Sequence, residues 1–175
     1  IEAGALHPTP AVYVLADLVE RAVRRSLLTR AGRAIAIDIP ADLPLVQVDE
    51  VLFGQVLANV LDNAHHYAGA QAPVAIEART EGPAGPLRLT IEDGGPGVPD
   101  DALPRLFEKF FRAPRAAAGS RRGTGAGLAV VHGLMAAMGG TASARRSRLG
   151  GLAIDLTIPV AVVPTTAAGV GVASA

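Results

Sequence analysis

Residues 49–69, DEVLFGQVLANVLDNAHHYAG, are the stretch that decides how this chain folds. Apolar residues recur there at intervals of three and four, which is typical of an amphipathic helix. Asp49 occupies the position of a helix N-cap, and the pattern predicts one long helix that continues to about Tyr67. The other segments of the chain can be placed around this helix.

Two carboxamides share one face of the predicted helix. Asn59 and Asn63 are four residues apart, beside an apolar ridge that contains Val56 and Val60. A carboxamide oxygen is a hard, neutral ligand that can join phosphate oxygens and water around Mg²⁺. A solvent-exposed helix surface also explains the pair, although asparagine in mid-helix costs roughly a few tenths of a kcal/mol relative to alanine. Both interpretations of the pair stay open at this point.

The remaining segments mix helices with strand pairs. In chain order they predict a helix at 14–28, strands at 34–39 and 45–48, a strand pair at 74–79 and 87–92, a helix at 127–138, and a last strand pair at 141–145 and 152–158. Hairpins combined with helices predict an α+β fold, a two-layer α/β sandwich in which helices cover one face of a mixed sheet.

The composition excludes several classes of protein. The 16 cationic and 16 anionic residues balance, so the chain lacks the basic surface of a nucleic-acid binder. No cysteine is present, which excludes a disulfide framework, a thiolate metal site and a cysteine nucleophile. At 175 residues, 50% of them hydrophobic, the chain suits one domain with a full core.

A glycine-rich loop, Asp93-Gly94-Gly95-Pro96-Gly97-Val98, directly follows a predicted strand. Glycines let the backbone turn sharply and approach a flat ligand. An ionised Asp93 only accepts hydrogen bonds, so it suits the exocyclic amine of adenine, where guanine has a carbonyl. A plain turn explains the same residues, because Asp-Gly and Pro-Gly are ordinary turn dipeptides.

A second glycine segment, Gly123-Thr124-Gly125-Ala126-Gly127-Leu128, opens a predicted helix. Backbone N–H groups at such a helix start hold phosphates, and the helix dipole adds to the attraction. A flexible hinge is the alternative interpretation. The irregular segment at about 99–124 is predicted to be a lid. Its cations, which suit a triphosphate, include Lys109, Arg112, Arg115, Arg121 and Arg122.

These motifs, in this order, resemble the N, G1, F and G2 boxes of the ATP-binding domain of bacterial sensor histidine kinases, a branch of the GHKL ATPases. The F box corresponds to residues 106–112, LFEKFFR. Residues 41–46 and the phrase Tyr67-Ala68-Gly69 resemble the KdpD-type potassium-responsive sensor kinases. The resemblance implies a sandwich of the Bergerat type with a flexible ATP lid, and ATP and Mg²⁺ as ligands.

The resemblance also implies a role for each site residue. Asn63 would ligate Mg²⁺ with Asn59 close by on the phosphates, and Asp93 would bind the adenine amine. Gly95 and Gly97 would let the loop pass the base. The remaining implied nucleotide contacts are Tyr67 at the base or ribose, Lys109 and Arg112 at the phosphates, and Gly123, Thr124, Gly125, Gly127 and Leu128 at the lid and triphosphate.

Two positions depart from the family pattern. His66 stands where the family often has a lysine that meets phosphate. Histidine titrates near neutral pH, so this contact is expected to be weaker and to depend on pH. Ala126 replaces a usual leucine, which is expected to loosen the packing of the lid.

None of the four histidines fits the family's phosphoacceptor, which precedes an acid on a dimerisation helix; they are His7, His65, His66 and His132. We therefore expect no catalytic residue in this chain, and an acceptor upstream of Ile1. Residues 1–10 are expected to be a linker from the end of a dimerisation helix, 11–159 the catalytic domain, and 160–175 a disordered tail.

The predicted function is to bind Mg-ATP and donate its γ-phosphoryl group to a histidine on a dimerisation domain, in two-component signalling. The expected partners are that domain and a response regulator, with no nucleic acid. The isolated domain is expected to be monomeric and cytoplasmic, and its parent a homodimeric inner-membrane sensor. The alternatives are an anti-sigma-factor-type serine kinase of the same ATPase class and a nucleotide-free scaffold domain.

Overall fold

The computed structural model describes residues 7–29, 35–69, 71–80, 82, 85–113 and 125–162. Its elements, in chain order, are β1 (Ala11–Tyr13), α1 (Leu15–Thr29), β2 (Ile35–Asp38), β3 (Val46–Val48), α2 (Glu50–Ala68), β4 (Val74–Thr80), β5 (Leu87–Asp93), a 3-10 helix (Asp100–Arg105), α3 (Gly127–Ala137), β6 (Thr141–Arg146) and β7 (Leu152–Ile158). Every helix and strand predicted from the periodicity is present, with small shifts at the ends.

The central sheet has five strands in the order β2-β4-β5-β7-β6. The β2–β4 pair is parallel and the other pairs are antiparallel, so the sheet is mixed. One face packs against the helices and forms a single apolar core. Successive side chains of a strand point to opposite faces, so the other face carries different residues. We call it the polar face; it includes Glu77, Thr90, Glu92, Arg145 and Asp155. The predicted α+β sandwich is confirmed.

The long helix α2 is stabilised at its start and along one side. The Asp49 side chain accepts hydrogen bonds from the backbone N–H groups of Val51 and Leu52, both at 3.0 Å, which confirms it as the N-cap. The helix buries the face formed by Phe53, Val56, Leu57, Val60, Leu61 and Ala64. This packing fixes the direction in which the neighbouring polar face of the helix points.

Two elements were not predicted from the sequence. Strand β1 pairs antiparallel with β3, and the two form a separate small sheet. The 3-10 helix lies in the segment where periodicity breaks down, and it contains Pro104. Both elements are too short to display a repeat, so only their tertiary partners define them.

The end of the domain continues slightly beyond β7. Val160 forms a bridge with Val46, and the Ala161 N–H donates to the Leu45 carbonyl at 2.8 Å. The predicted linker residues 1–6, most of the predicted tail and residues 114–124 of the predicted lid lie outside the described residues. Within the part of the chain that is described, no helix is long and apolar enough to cross a membrane.

Candidate functional site

The two asparagines of α2 lie at the junction with α3. Asn59 and Asn63 are both half-buried, next to the buried Val56 and Val60. A Cβ placed on Gly127, the first residue of α3, would lie 3.7 Å from Oδ1 of Asn59. The structure therefore brings the first glycine of the α3 helix beside Asn59, the first asparagine of the pair.

Asp93 ends β5 and is 5% exposed. Its Oδ1 accepts hydrogen bonds from the backbone N–H groups of Gly95, at 2.8 Å, and Leu152, at 3.3 Å. The Asp93 carbonyl accepts a third one, at 3.1 Å, from the Gly151 N–H. Two separate chain segments thus hold this carboxyl group in one orientation, which is the arrangement that a fixed hydrogen-bond acceptor needs.

The glycines after Asp93 are required for close packing. A Cβ on Gly95 would overlap Cα of Ala68 at the end of α2 and lie 2.9 Å from Asp93 Oδ1. Gly97 has a φ of +68°, and a Cβ there would lie 3.2 Å from the Gly151 carbonyl oxygen. The loop therefore passes between the last turn of α2 and the β6–β7 turn, residues 147–151, which leaves no room for larger residues.

Gly151 is part of this site and was missed by the sequence analysis. A Cβ at this position would overlap Asp93 Oδ1 and lie 2.5 Å from both the Asp93 carbonyl oxygen and the Gly95 nitrogen. In the sequence, Gly150-Gly151 lies between two predicted strands and indicates only a turn. Nothing in the local pattern distinguishes the turn glycine Gly150, with φ +101°, from the contact glycine Gly151.

Described residues on the two sides of 114–124 contact each other. The Phe110 N–H donates to the Gly125 carbonyl at 3.2 Å. Gly125 has a φ of +69°, and a Cβ there would lie 2.9 Å from the Phe111 carbonyl oxygen. Phe110 adopts a φ of +65°, which is unusual for a side-chain-bearing residue, and its side chain is 75% exposed. These contacts close the base of the segment that contains residues 114–124.

Aromatic residues attach the first part of the predicted lid to the rest of the domain. The Phe107 and His132 rings lie 5.8 Å apart, which connects the segment to α3. The Arg105 guanidinium lies 4.2 Å from the centre of the Phe111 ring and also pairs with Glu108 at 3.2 Å. The F-box aromatic residues Phe107 and Phe111 therefore pack at the base of the lid, within reach of α3.

The other residues that are predicted to contact the nucleotide have the following positions in the structure. Lys109 and Arg112 are exposed, Tyr67 is half-buried on the last turn of α2, and Leu128 lies in the apolar core. Their contacts with nucleotide stay predictions, as do those of Gly123 and Thr124, which lie outside the described residues.

His66 turns back onto its own helix. Its Nδ1 lies 2.7 Å from the Asp62 carbonyl oxygen, and since a carbonyl only accepts, Nδ1 carries the hydrogen. The edge of the ring therefore faces the helix backbone, and Nε2 is the nitrogen left for a ligand. The His65 and His66 rings meet edge to face, with centroids 5.9 Å apart.

The donor set suits one kind of metal ion better than others. No group of three or more histidine, aspartate or glutamate residues able to hold a metal exists among the residues the structure describes. A cation at this site would thus depend on amide oxygen from the protein together with ligand oxygens and water. Mg²⁺ bound to a polyphosphate has this coordination, whereas zinc and calcium sites need more protein ligands.

A family model and a curated relative both match this chain. Residues 48–162 match the family described as histidine kinase-, DNA gyrase B-, and HSP90-like ATPase. The sensor protein KdpD of Escherichia coli is 38% identical over 130 residues, which are 74% of this chain and 14% of that protein. The chain therefore spans only a small part of this curated relative.

Two solved structures are similar in both sequence and fold. The mycobacterial sensor histidine kinase MprB has 28% identity and a TM-score of 0.73, covering 87% of this chain and 98% of the other. Full-length ShkA in complex with AMPPNP has 30% identity and a TM-score of 0.72, covering 93% of this chain and 34% of the other.

Proposed function

Because the chain belongs to the histidine kinase-, DNA gyrase B- and HSP90-like ATPase family, we propose that it binds Mg-ATP and presents the γ-phosphoryl group to a histidine on a separate dimerisation domain. The likeness to sensor kinases supports this choice over the other activities of the family. It also supports a response regulator as the next partner, and a homodimeric membrane-bound parent with this domain on the cytoplasmic side.

The observation that carries the proposal is the fixed carboxyl group of Asp93. Oδ1 is engaged by the N–H groups of Gly95 and Leu152, so the side chain cannot rotate freely. An acceptor held in this way favours an exocyclic amine and penalises a carbonyl, which separates adenine from guanine. The residue is only 5% exposed, so the carbonyl of a mismatched base would face the carboxylate with little water to screen the two oxygens.

The phosphate end of the proposed site lies at the start of α3. The N–H groups of a helix N-terminus attract anions, and Gly127 leaves space for them beside Asn59. Asn63, one turn further along α2, would hold Mg²⁺ through its side-chain oxygen. When bound, Mg²⁺ neutralises the charge of the triphosphate, while the chain's own residues orient it.

The proposed site binds the nucleotide and the metal but not the phosphoryl acceptor, so the acceptor need not lie in this chain. In phosphoryl transfer the protein mainly positions the reactants and neutralises charge, so nucleotide and nucleophile can come from different domains. The structure of ShkA with AMPPNP supports an adenine triphosphate as the ligand of such a domain.

Two measurements test the proposal. Titration calorimetry with ATP and GTP, with and without Mg²⁺, should reveal binding that requires Mg²⁺ and prefers ATP, and Asp93→Asn should remove the preference. The matched control is Asp42→Asn, which changes an exposed carboxylate in a turn. Absence of nucleotide binding in the unsubstituted chain would favour the scaffold alternative instead.

The phosphoryl acceptor needs a second experiment. The chain should not label itself with γ-labelled ATP, but it should label a separately prepared dimerisation domain from a KdpD-type kinase. The product should be labile in acid and stable in base, as expected for phosphohistidine. An acid-stable product on serine would instead support the anti-sigma-factor type of kinase.

A further inference from the structure

We propose that Arg148 is a positioning residue for adenine recognition: by bridging Glu92 and Glu77, it pins the β6–β7 turn against β5 and thereby keeps the Asp93 carboxyl group in place. The β6–β7 turn comprises residues 147–151 and lies outside the four motifs that carry the proposed function. The inference rests on that function, because it concerns how the base is selected.

The Arg148 guanidinium ties the turn to two strands on the polar face. Its Nη2 donates to Oε1 of Glu92 at 2.8 Å and to Oε2 of Glu77 at 2.9 Å, and its Nε donates to Glu92 Oε1 at 3.2 Å. The backbone N–H of Arg148 and the hydroxyl of Ser147 donate to the other Glu92 oxygen, at 3.1 and 3.2 Å. Five hydrogen bonds therefore fasten the turn to the polar face.

The same turn contacts β5 from the opposite face. Glu92 and Asp93 are consecutive residues of β5, so their side chains point to opposite sides of the sheet. On the Asp93 side, the N–H groups of Gly151 and Leu152 donate to the Asp93 carbonyl and carboxyl oxygens. The end of β5 is thus held between two sets of contacts, from the turn and from the first residue of β7 that follows it, so a shift of the turn on the Glu92 side would displace the donors on the Asp93 side.

The Glu92 carboxylate makes this attachment sensitive to Arg148. The side chain is 4% exposed, and burial opposes its ionisation. The hydrogen bonds and charge of Arg148, with the Ser147 hydroxyl, outweigh burial, so the Glu92 pKa lies below its ordinary value. Without the guanidinium, a buried carboxylate would lack its countercharge, and the turn would have to move to let water reach it.

A second arginine on the polar face provides a matched control. Arg145 pairs with Asp155 at 2.8 Å, and the Asp155 side chain is 9% exposed, so the chemistry and burial are similar. Thr90 donates to the same carboxylate at 2.6 Å. These residues lie on the interior of strands β5, β6 and β7 and make none of the hydrogen bonds that hold Asp93. Removing Arg145 tests loss of a buried ion pair without loss of the turn.

The experiment measures dissociation constants for Mg-ATP and Mg-GTP by calorimetry on the 175-residue chain, with thermal unfolding recorded for each variant. Arg148→Met should lower the ratio of the GTP to the ATP constant by about tenfold, the effect of loosening one hydrogen bond to a buried carboxyl group. Arg148→Lys should restore most of the ratio, because its ammonium still reaches a carboxylate. Arg145→Met should lower the unfolding temperature but keep the ratio.

Glu92→Gln combined with Arg148→Met keeps the test decisive if the single variant fails to fold. In the double variant, position 92 no longer holds a buried carboxylate without a countercharge, but the Arg148 bridge between the turn and the strands is still missing. The variant should therefore fold and display the same loss of selectivity. A folded double variant with the native ratio would overturn the inference, as would an equal loss in Arg145→Met. If the unsubstituted chain does not prefer ATP, the proposed function itself fails and the inference falls with it.

Discussion

Gly151 lies so close to Asp93 that any side chain at position 151 would overlap the Asp93 carboxyl oxygen Oδ1. Asp93 is the last residue of β5 and Gly151 is the last residue of the β6–β7 turn, and the Gly151 N–H donates to the Asp93 carbonyl at 3.1 Å. The acceptor proposed for adenine is therefore shaped by a residue 58 positions away in the chain, since 151 − 93 = 58. The proposed base recognition would therefore depend on the β5–β7 pairing as well as on the loop after Asp93.

Gly151→Ala should weaken ATP binding as well as the fold. The added methyl must push Asp93 or the turn aside, which costs about 1–3 kcal/mol in a packed interior. Calorimetry should display a loss of ATP affinity of about tenfold or more, the equivalent of that strain. Gly133→Ala is the control, because its Cβ on the exposed side of α3 meets nothing within 4 Å. Equal ATP affinity in both variants would contradict the role of Gly151.

Asn63→Ala should abolish the Mg²⁺-dependent part of ATP binding. The carboxamide oxygen is the only ligand that the proposed site assigns to the metal from this chain, and alanine provides none. Binding is compared by calorimetry with Mg²⁺ present and with Mg²⁺ removed by chelation. Gln55→Ala, an exposed carboxamide on the same helix, should bind like the unsubstituted chain. Unchanged Mg-ATP affinity in Asn63→Ala would rule out the metal assignment.

His66→Lys should raise ATP affinity at pH 8 and make it less dependent on pH. Lysine carries its charge throughout this range, whereas histidine gains a proton only as the pH falls towards about 6. In the unsubstituted chain, His66 is held through Nδ1 to the Asp62 carbonyl, so Nε2 is the nitrogen that would meet phosphate. Titrations at pH 6, 7 and 8 check this. Parallel pH curves for the two proteins would exclude a phosphate contact.

Asp49→Ala should lower the free energy of unfolding by about 1 kcal/mol, the usual contribution of a helix N-cap. The Asp49 carboxylate accepts from the N–H groups of Thr9, Leu52 and Val51, so it also attaches the segment that precedes β1. Asp49→Asn should retain most of the stability, because asparagine caps helices well. Urea unfolding of the three proteins provides the comparison.

The contribution of Asp49 should also depend on pH in a defined direction. The hydrogen bond from the Thr9 N–H, followed by those from Leu52 and Val51, lowers the pKa of Asp49 below its ordinary value. Its ionised form therefore stabilises the fold above the ordinary aspartate pKa of about 4, and the benefit is lost as the pH falls through the lowered value. The stability difference between Asp49→Ala and the unsubstituted chain should narrow below pH 4. A constant difference from pH 7 to pH 3 would contradict this account.

Much of the fold follows from local patterns. Helix α2 is predictable because its cap, its apolar repeat and its length all agree, and the β4–β5 and β6–β7 pairs are predictable because their residues alternate. Strand β1 is different. It has only three residues and follows two prolines, so its pairing with β3 is visible only when both are in place.

The residues of the candidate site likewise include some that the sequence predicts and others that it does not. Asn59, Asn63 and Asp93 could be singled out because their side-chain chemistry and their order along the chain point to Mg-ATP. Arg148 could not, because an arginine in a turn has no local signal that distinguishes a solvated charge from a bridge between two strands. Its partners, Glu77 and Glu92, lie more than 50 residues away in the chain, at separations of 71 and 56.

The sequence by itself determined most of the elements, the motif order and hence the family, because periodicity, capping and glycine spacing act over a few residues. Only the tertiary structure decided which residues complete the site. The register between β5 and β7 places the β6–β7 turn at the end of β5, so that Gly151 contacts Asp93 on one face while Arg148 reaches Glu92 on the other. That register is set by the packing of the whole sheet, so no short segment of the chain contains it.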